Sequence, residues 1–152
     1  MARSLSRTEV ELYDHVPTDV ARRARLHRVR LLPPGARGMT LGRHVLLVRG
    51  HENRRVLVAH ELVHVRQFAE QGHVRFLARY LWGYLRGLVS TRVDRRAAVR
   101  TGRMPSTSAR DLQLQEGSAR ANRHREAYLA IPAEVEARAE AERWANAHPD
   151  AA

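Results

Sequence analysis

The stretch AHELVHVRQ, residues 59–67, constrains the fold of this chain more than any other segment. His60 and His64 are four residues apart, so on an α-helix both imidazoles lie on one face, about one turn from each other. Glu61 begins the same turn and is offset from the two rings. Apolar residues surround these three, and no proline or glycine interrupts the run from Arg54 to Gln71. The pattern predicts one helix that presents two histidines together.

Two histidines with this spacing can bind one Zn²⁺ ion at roughly 2.0–2.1 Å. HELVH also fits the pattern H-E-x-x-H, in which the glutamate takes a proton from water and is not itself a metal ligand. Because catalytic zinc sites use three protein ligands and leave one position to water, His60 and His64 predict a site that needs one more ligand. Glu61 is the predicted general base. The chain has no cysteine, so the missing ligand is a histidine or a carboxylate.

The third ligand is not part of the motif itself. The extended motif requires a histidine six residues after His64, where this chain has Glu70. The predicted C-terminal helix, IPAEVEARAEAERWANAHP, offers carboxylates instead: Glu134, Glu136, Glu140 and Glu142. Steps of three, seven and ten residues from Glu134 reach two alanines and Trp144, an apolar stripe, whereas the same steps from Glu136 follow a mostly polar face. Glu134 is therefore the predicted ligand, with Glu136 as the alternative.

Other polar residues near these positions are weaker candidates. Gln67, one turn beyond the second histidine, either lies beside the metal or caps exposed backbone. Tyr128 and His124 are candidate donors to the oxyanion of a tetrahedral intermediate. Alternatively, Tyr128 belongs to the core and His124 faces solvent. Glu134 has an alternative too, an exposed ion pair with Arg138 four residues later.

HELVHVRQ and the later segment HREAYLAIPAEVEARAEA resemble the gluzincin metallopeptidases, and most of all small bacterial zincin-like proteins of about this length. The resemblance covers much of residues 40–89 and 122–145. It implies that His60, His64 and Glu134 are zinc ligands. It also implies that Glu61 is the catalytic base. At Arg138 the chain departs from many gluzincins, which carry an acidic residue there, so the group that orients the imidazoles stays open.

The remaining segments predict a small α+β domain. PTDVARRARLHRV has helical spacing up to about His27, and the two following β segments, HRVRLL and GMTLGRHVLLVRG, predict a small sheet with a bulge at Gly42. Residues 74–89 are apolar nearly all round and predict a helix packed on several sides. Residues 90–121 turn polar and predict a flexible insertion. We therefore expect a minimal zincin-like fold, with residues 1–152 forming one domain.

The composition of the chain indicates which partners and which cellular compartment to expect. All 27 basic residues are arginine, and the formal net charge is +11. Because the arginines are scattered, they predict nonspecific rather than dedicated contact with nucleic acid. The first residues lack the apolar core of a secretory signal, and no stretch approaches the ~20 apolar residues of a membrane span, so the cytoplasm is the expected compartment. Arg79 and Arg86 fall on one side of FLARYLWGYLRGLV, which leaves peripheral membrane contact open.

Together these features predict a zinc-dependent metallopeptidase, a hydrolase that acts on a peptide or protein. The segment MTLGRHVLLV is a candidate edge strand for binding an extended peptide. Two alternatives stay open. In the first, zinc is a structural cross-link in a non-catalytic binding or regulatory module. In the second, the chain is an arginine-rich nucleic-acid-binding protein whose histidines are incidental. The sequence predicts neither the substrate nor the oligomeric state.

Overall fold

The computed structural model describes residues 2–33, 36–100 and 125–150, and at 88 and 90–100 it describes the backbone alone. The architecture is mixed α+β with a four-stranded sheet, which confirms the predicted fold class. The chain divides into two compact units. The first comprises Met1–Leu77 and Glu136–Ala152, and the second comprises Ala78–Val135.

The sheet belongs to the first unit. Its strands are β1 (Ala2–Arg3), β2 (Arg25–Val29), β3 (Gly38–Leu41) and β4 (His44–Val48), and their order is β1-β2-β4-β3. β2 and β4 run parallel, and the other two neighbouring pairs are antiparallel. Gly42 links β3 to β4 with φ at +61°, a conformation that glycine adopts without steric cost. The predicted bulge at Gly42 is thus wrong, because this residue lies in the hairpin turn.

The first unit also contains α1 (Arg7–Leu12), α2 (Thr18–Arg23) and α3 (Arg55–Gln71). The long helix α3 confirms the prediction from the histidine motif, and Gly72 ends it with φ at +74°. The helix predicted to run to about His27 ends at Arg23 instead. Arg25–Val29 pairs with β4 along its whole length, so sheet pairing overrides the local helical spacing.

The core of the first unit lies between the sheet and its helices. Alternate residues of the strands face α3, among them the buried Leu26, Val45 and Leu47. From α3, buried aliphatic side chains such as Leu62 and Val63 join the same cluster. The last helix, α5 (Pro132–Ala147), adds Ala137, Ala141 and Trp144, which confirms the apolar stripe predicted for it.

Helix α4 (His73–Arg100) follows α3 after a single residue and continues past the predicted end at Val89. Residues 90–100 are therefore helical and not part of a loop, while 101–121 of the predicted insertion lie outside the described residues. The prediction that α4 packs on several sides is wrong, because many of its large apolar side chains are exposed: Val74, Leu77, Leu81, Trp82, Leu85 and Val89. Within the described ranges, no helix is long and apolar enough to cross a membrane.

The second unit brings α4 close to the segment before α5. Residues 125–129 are helical, and Ala127 and Ile131 are fully buried. A Cβ atom at Gly87 would lie 2.9 Å from the Cα of Ala127, and one at Gly83 would lie 3.3 Å from the proline ring of Pro132. These two glycines therefore permit a close backbone approach along one side of α4.

Candidate metal centre

His60 and His64 lie one turn apart on α3, where His60 is partly buried and His64 is buried. Their Nε2 atoms are 3.2 Å apart, and the rings meet edge to face at 83°. Two nitrogens that each lie 2.0–2.1 Å from one tetrahedral zinc ion are separated by about 3.3 Å, so the observed spacing suits a shared metal. The four-residue spacing in a regular helix thus produces the predicted pair of rings.

Gln67 fixes the orientation of the His64 ring. Its amide nitrogen donates to the carboxylate of Glu136 at 2.9 Å, and a carboxylate can only accept. The amide oxygen therefore faces His64 Nδ1, 2.8 Å away, and that nitrogen must carry the proton. In this tautomer His64 Nε2 carries a lone pair and no proton, as metal binding requires. Gln67 is only 1% exposed, so packing holds this bridge in place.

The partners of Glu136 tie α3 to α5. Arg66, on α3, donates to Glu136 at 2.5 Å and to both carboxylate oxygens of Glu140 at 2.8 and 2.9 Å. The hydrogen bonds that Arg66 donates to Glu140 raise the pKa of Arg66 above its ordinary value, so this guanidinium stays charged. The carboxylate of Glu136, the alternative ligand, is thus held between Arg66 and Gln67.

Glu61 lies beside strand β3, and its side chain is almost completely buried at 4% exposure. The Thr40 hydroxyl donates to Glu61 Oε2 at 2.7 Å, which orients the carboxylate. Its other oxygen, Oε1, borders Gly38, where any Cβ atom would overlap the carboxylate. Thr40 and Gly38 share the face of β3 that points toward α3, because strand side chains alternate. The strand therefore supplies both the space and the hydrogen bond that fix Glu61.

Glu134 occupies the first turn of α5, and only 2% of it is exposed. It lies three residues before Ala137, on the same helical face as the buried stripe that ends at Trp144. His60, His64 and Glu134 each offer one ligand atom, and these atoms all lie within 4.8 Å of one another. The alternative in which Glu134 is an exposed carboxylate is wrong, because Glu134 is buried.

Tyr80 on α4 is a site residue that the sequence did not indicate. Its hydroxyl donates to Glu134 Oε1 at 2.8 Å. Burial, followed by the negative charge of Glu134, raises the pKa of Tyr80 above its ordinary value, so the hydroxyl stays protonated and remains a donor. Tyr128 also hydrogen-bonds Tyr80 and is 41% exposed, so it is not the core residue considered above. The role of Tyr128 as an oxyanion donor stays a prediction, and His124 lies outside the described residues.

Comparison with known families adds one match. The family model of the eCIS core domain matches residues 17–72. This match covers just over a third of the chain, from the start of α2 to the end of α3, and it includes His60, Glu61, His64 and Gln67. No curated protein and no solved structure matches the chain.

The eCIS core match ends before the second half of the candidate site. Tyr80 and Glu134 both lie beyond residue 72, so the match bears on the helix motif and the sheet but not on the third ligand. The resemblance to gluzincins stays a prediction. The described residues bring together two imidazoles and a buried carboxylate, those of His60, His64 and Glu134. The carboxylate of Glu61 is held separately, by a hydrogen bond from β3.

Proposed function

We propose that this chain is a zinc-dependent metallopeptidase in which His60, His64 and Glu134 hold one Zn²⁺ ion and Glu61 is the general base. The observation that carries the proposal is the clustering of the three ligand atoms within 4.8 Å. Two imidazoles and one carboxylate are a donor set that zinc accepts in catalytic sites. The chain has no cysteine, so a thiolate site is excluded on composition.

Gln67 and Tyr80 support this assignment because each orients a proposed ligand. Gln67 accepts from His64 Nδ1, and Tyr80 donates to Glu134 Oε1. Orienting partners of this kind are typical of metal sites, since they fix the tautomer of a histidine and the rotamer of a carboxylate. In this proposal Gln67, an amide on α3, takes the place of the acidic residue that many gluzincins carry at the position of Arg138.

Glu61 is the proposed base and not a ligand, because its side chain is offset around α3 from the face that carries His60 and His64. Zinc held by the three ligands supplies a Lewis acid that makes water a nucleophile near neutral pH. Glu61 takes the proton from the attacking water and returns it to the leaving amine. The hydrogen bond from Thr40 restricts the carboxylate to one orientation, so little reorganisation is needed during proton transfer.

Strand β3 favours an extended peptide as the substrate. It is an end strand of the described sheet, and the carboxylate of Glu61 lies against it at Gly38 and Thr40. An extended peptide that pairs with the outer edge of β3 would gain main-chain hydrogen bonds while its backbone runs past the base. This arrangement presents an amide bond, and not only a side chain, to the proposed water.

Metal removal tests the proposal. We expect the purified full chain to contain one zinc ion per molecule and to hydrolyse members of an unstructured peptide library. A chelator is expected to remove the zinc and abolish cleavage, and one equivalent of Zn²⁺ is expected to restore it. Mass spectrometry of the peptides and elemental analysis of the protein measure the two effects. Cleavage that persists in metal-free protein, or no cleavage by protein that holds one zinc, would contradict the proposed activity.

A further inference from the structure

Helix α4 carries an exposed apolar face within the second unit. Leu81, Trp82, Leu85 and Val89 are each more than half exposed. At 100° per residue these four side chains fall within about 100° of the helix circumference, so they form one continuous strip. Four large apolar residues side by side on a surface are unusual for a monomeric protein and indicate something that covers them.

The outward direction of this face is fixed by the packing of α4. Gly83 and Gly87 lie on the opposite side of the helix, where Cβ atoms would meet Pro132 and Ala127 at 3.3 and 2.9 Å. A close backbone approach on that side leaves no freedom for α4 to rotate its leucines inward. The exposed strip is therefore a feature of the packed helix.

Arginines border the strip. Arg79 and Arg86 are exposed and lie next to Trp82 around the helix, seven residues apart along one edge. The sequence from His73 to Val93 contains no acidic residue, and the whole chain carries a formal charge of +11. Leucines flanked by a tryptophan and a row of cations suit the boundary between lipid headgroups and acyl chains. We propose that this face of α4 lies on the surface of an anionic lipid bilayer.

Other occupants fit the face less well. A second copy of the chain would bring two rows of arginine together without compensating acidic residues. Residues 101–124 of the same chain contain only three large apolar residues, Met104, Leu112 and Leu114, too few to cover the strip. Anionic lipid satisfies both the apolar strip and its cationic border, and it does so without a span across the membrane.

Tryptophan fluorescence of the full chain with vesicles tests this inference. The chain has two tryptophans: Trp82 is 70% exposed, whereas Trp144 is 2% exposed and donates to the carbonyl of Leu12 at 2.9 Å. We expect vesicles of phosphatidylglycerol and phosphatidylcholine to shift the emission to the blue, and Trp82→Phe to remove that shift. Replacing Arg79 and Arg86 by glutamine is expected to weaken binding by about 25-fold, since each arginine near an anionic surface contributes about fivefold.

A matched pair elsewhere on the surface is the control. Arg22→Gln with Arg30→Gln removes the same charge from exposed positions of the first unit and is expected to weaken binding far less. Leu81→Gln with Leu85→Gln tests the apolar part, with an expected loss of about tenfold or more. Equal losses from both arginine pairs, equal binding to vesicles of phosphatidylcholine alone, or no blue shift would overturn the inference. A blue shift that appears on concentrating the protein without lipid would also overturn it, in favour of self-association.

Discussion

Replacing Glu61 by glutamine is expected to abolish peptide hydrolysis while leaving zinc bound. Glutamine cannot accept the proton of the attacking water, and loss of a general base typically costs about 10²–10⁴-fold in rate. The variant keeps a side-chain oxygen that can accept from Thr40, so the environment of residue 61 beside β3 is preserved. Measurements of kcat/KM and of zinc per chain on the same preparation separate the two effects.

Glu70→Gln is the matched control, since Glu70 is an exposed carboxylate on the same helix. We expect it to retain both zinc and hydrolysis. If Glu61→Gln cleaves peptides as fast as the unchanged chain, Glu61 is not the base and the enzymatic mechanism is wrong. If neither protein cleaves any peptide while both hold one zinc, zinc is a structural cross-link in a binding or regulatory module.

The second large effect concerns the two carboxylates of α5. Glu134→Gln is expected to weaken zinc binding by more than about 100-fold, because loss of a ligand exceeds the 10–100-fold cost of losing an orienting partner. Glu136→Gln is expected to weaken it by less than about tenfold. The new amide oxygen can still accept from Gln67, so the orientation of the His64 ring is retained.

Competition with a zinc-binding fluorescent indicator measures both dissociation constants. The two variants remove the same charge from positions two residues apart on one helix, so they differ in geometry and not in net electrostatics. A larger loss in Glu136→Gln than in Glu134→Gln would show that Glu136 is the ligand. Equal and small losses in both would show that α5 contributes none.

The helix motif of the candidate site could be predicted because its residues are close together in the sequence. The positions of His60, Glu61 and His64 follow from helical periodicity, and the structure confirms the helix that carries them. The same periodicity predicted that Glu134, and not Glu136, faces the core, and Glu134 is buried. Its role as a ligand stays a prediction. Helical spacing did not predict the end of α2 correctly, because residues Arg25–Val29 pair with β4 and the helix ends before them.

The supporting contacts could not be predicted because they join distant parts of the chain. Gln67 and Glu136 are 69 residues apart, and Tyr80 and Glu134 are 54 residues apart. No periodic pattern connects such pairs. The bridging role of Gln67 could not be predicted without knowing that the carboxylate of Glu136 accepts from its amide nitrogen.

Composition led to wrong predictions of the length and the packing of helix α4. Residues 90–100 are rich in arginine and alanine, both strong helix formers, so a polar segment continues the helix instead of ending it. The apolar residues before them suggested a helix surrounded by protein. The burial of one side of α4 depends on contacts of Gly83 with Pro132 and of Gly87 with Ala127, residues 49 and 40 positions later in the chain. Hydrophobicity alone does not reveal such contacts.

X-ray absorption at the zinc edge tests the metal site most directly, with the full chain loaded with one equivalent of Zn²⁺. We expect a four-coordinate ion with two imidazole nitrogens and two oxygen donors at about 2.0–2.1 Å, the first oxygen from Glu134 and the second from water. In Glu134→Gln the carboxylate contribution is expected to disappear. A six-coordinate ion with no imidazole, or a site with a single imidazole, would contradict the arrangement of His60, His64 and Glu134 as one metal site.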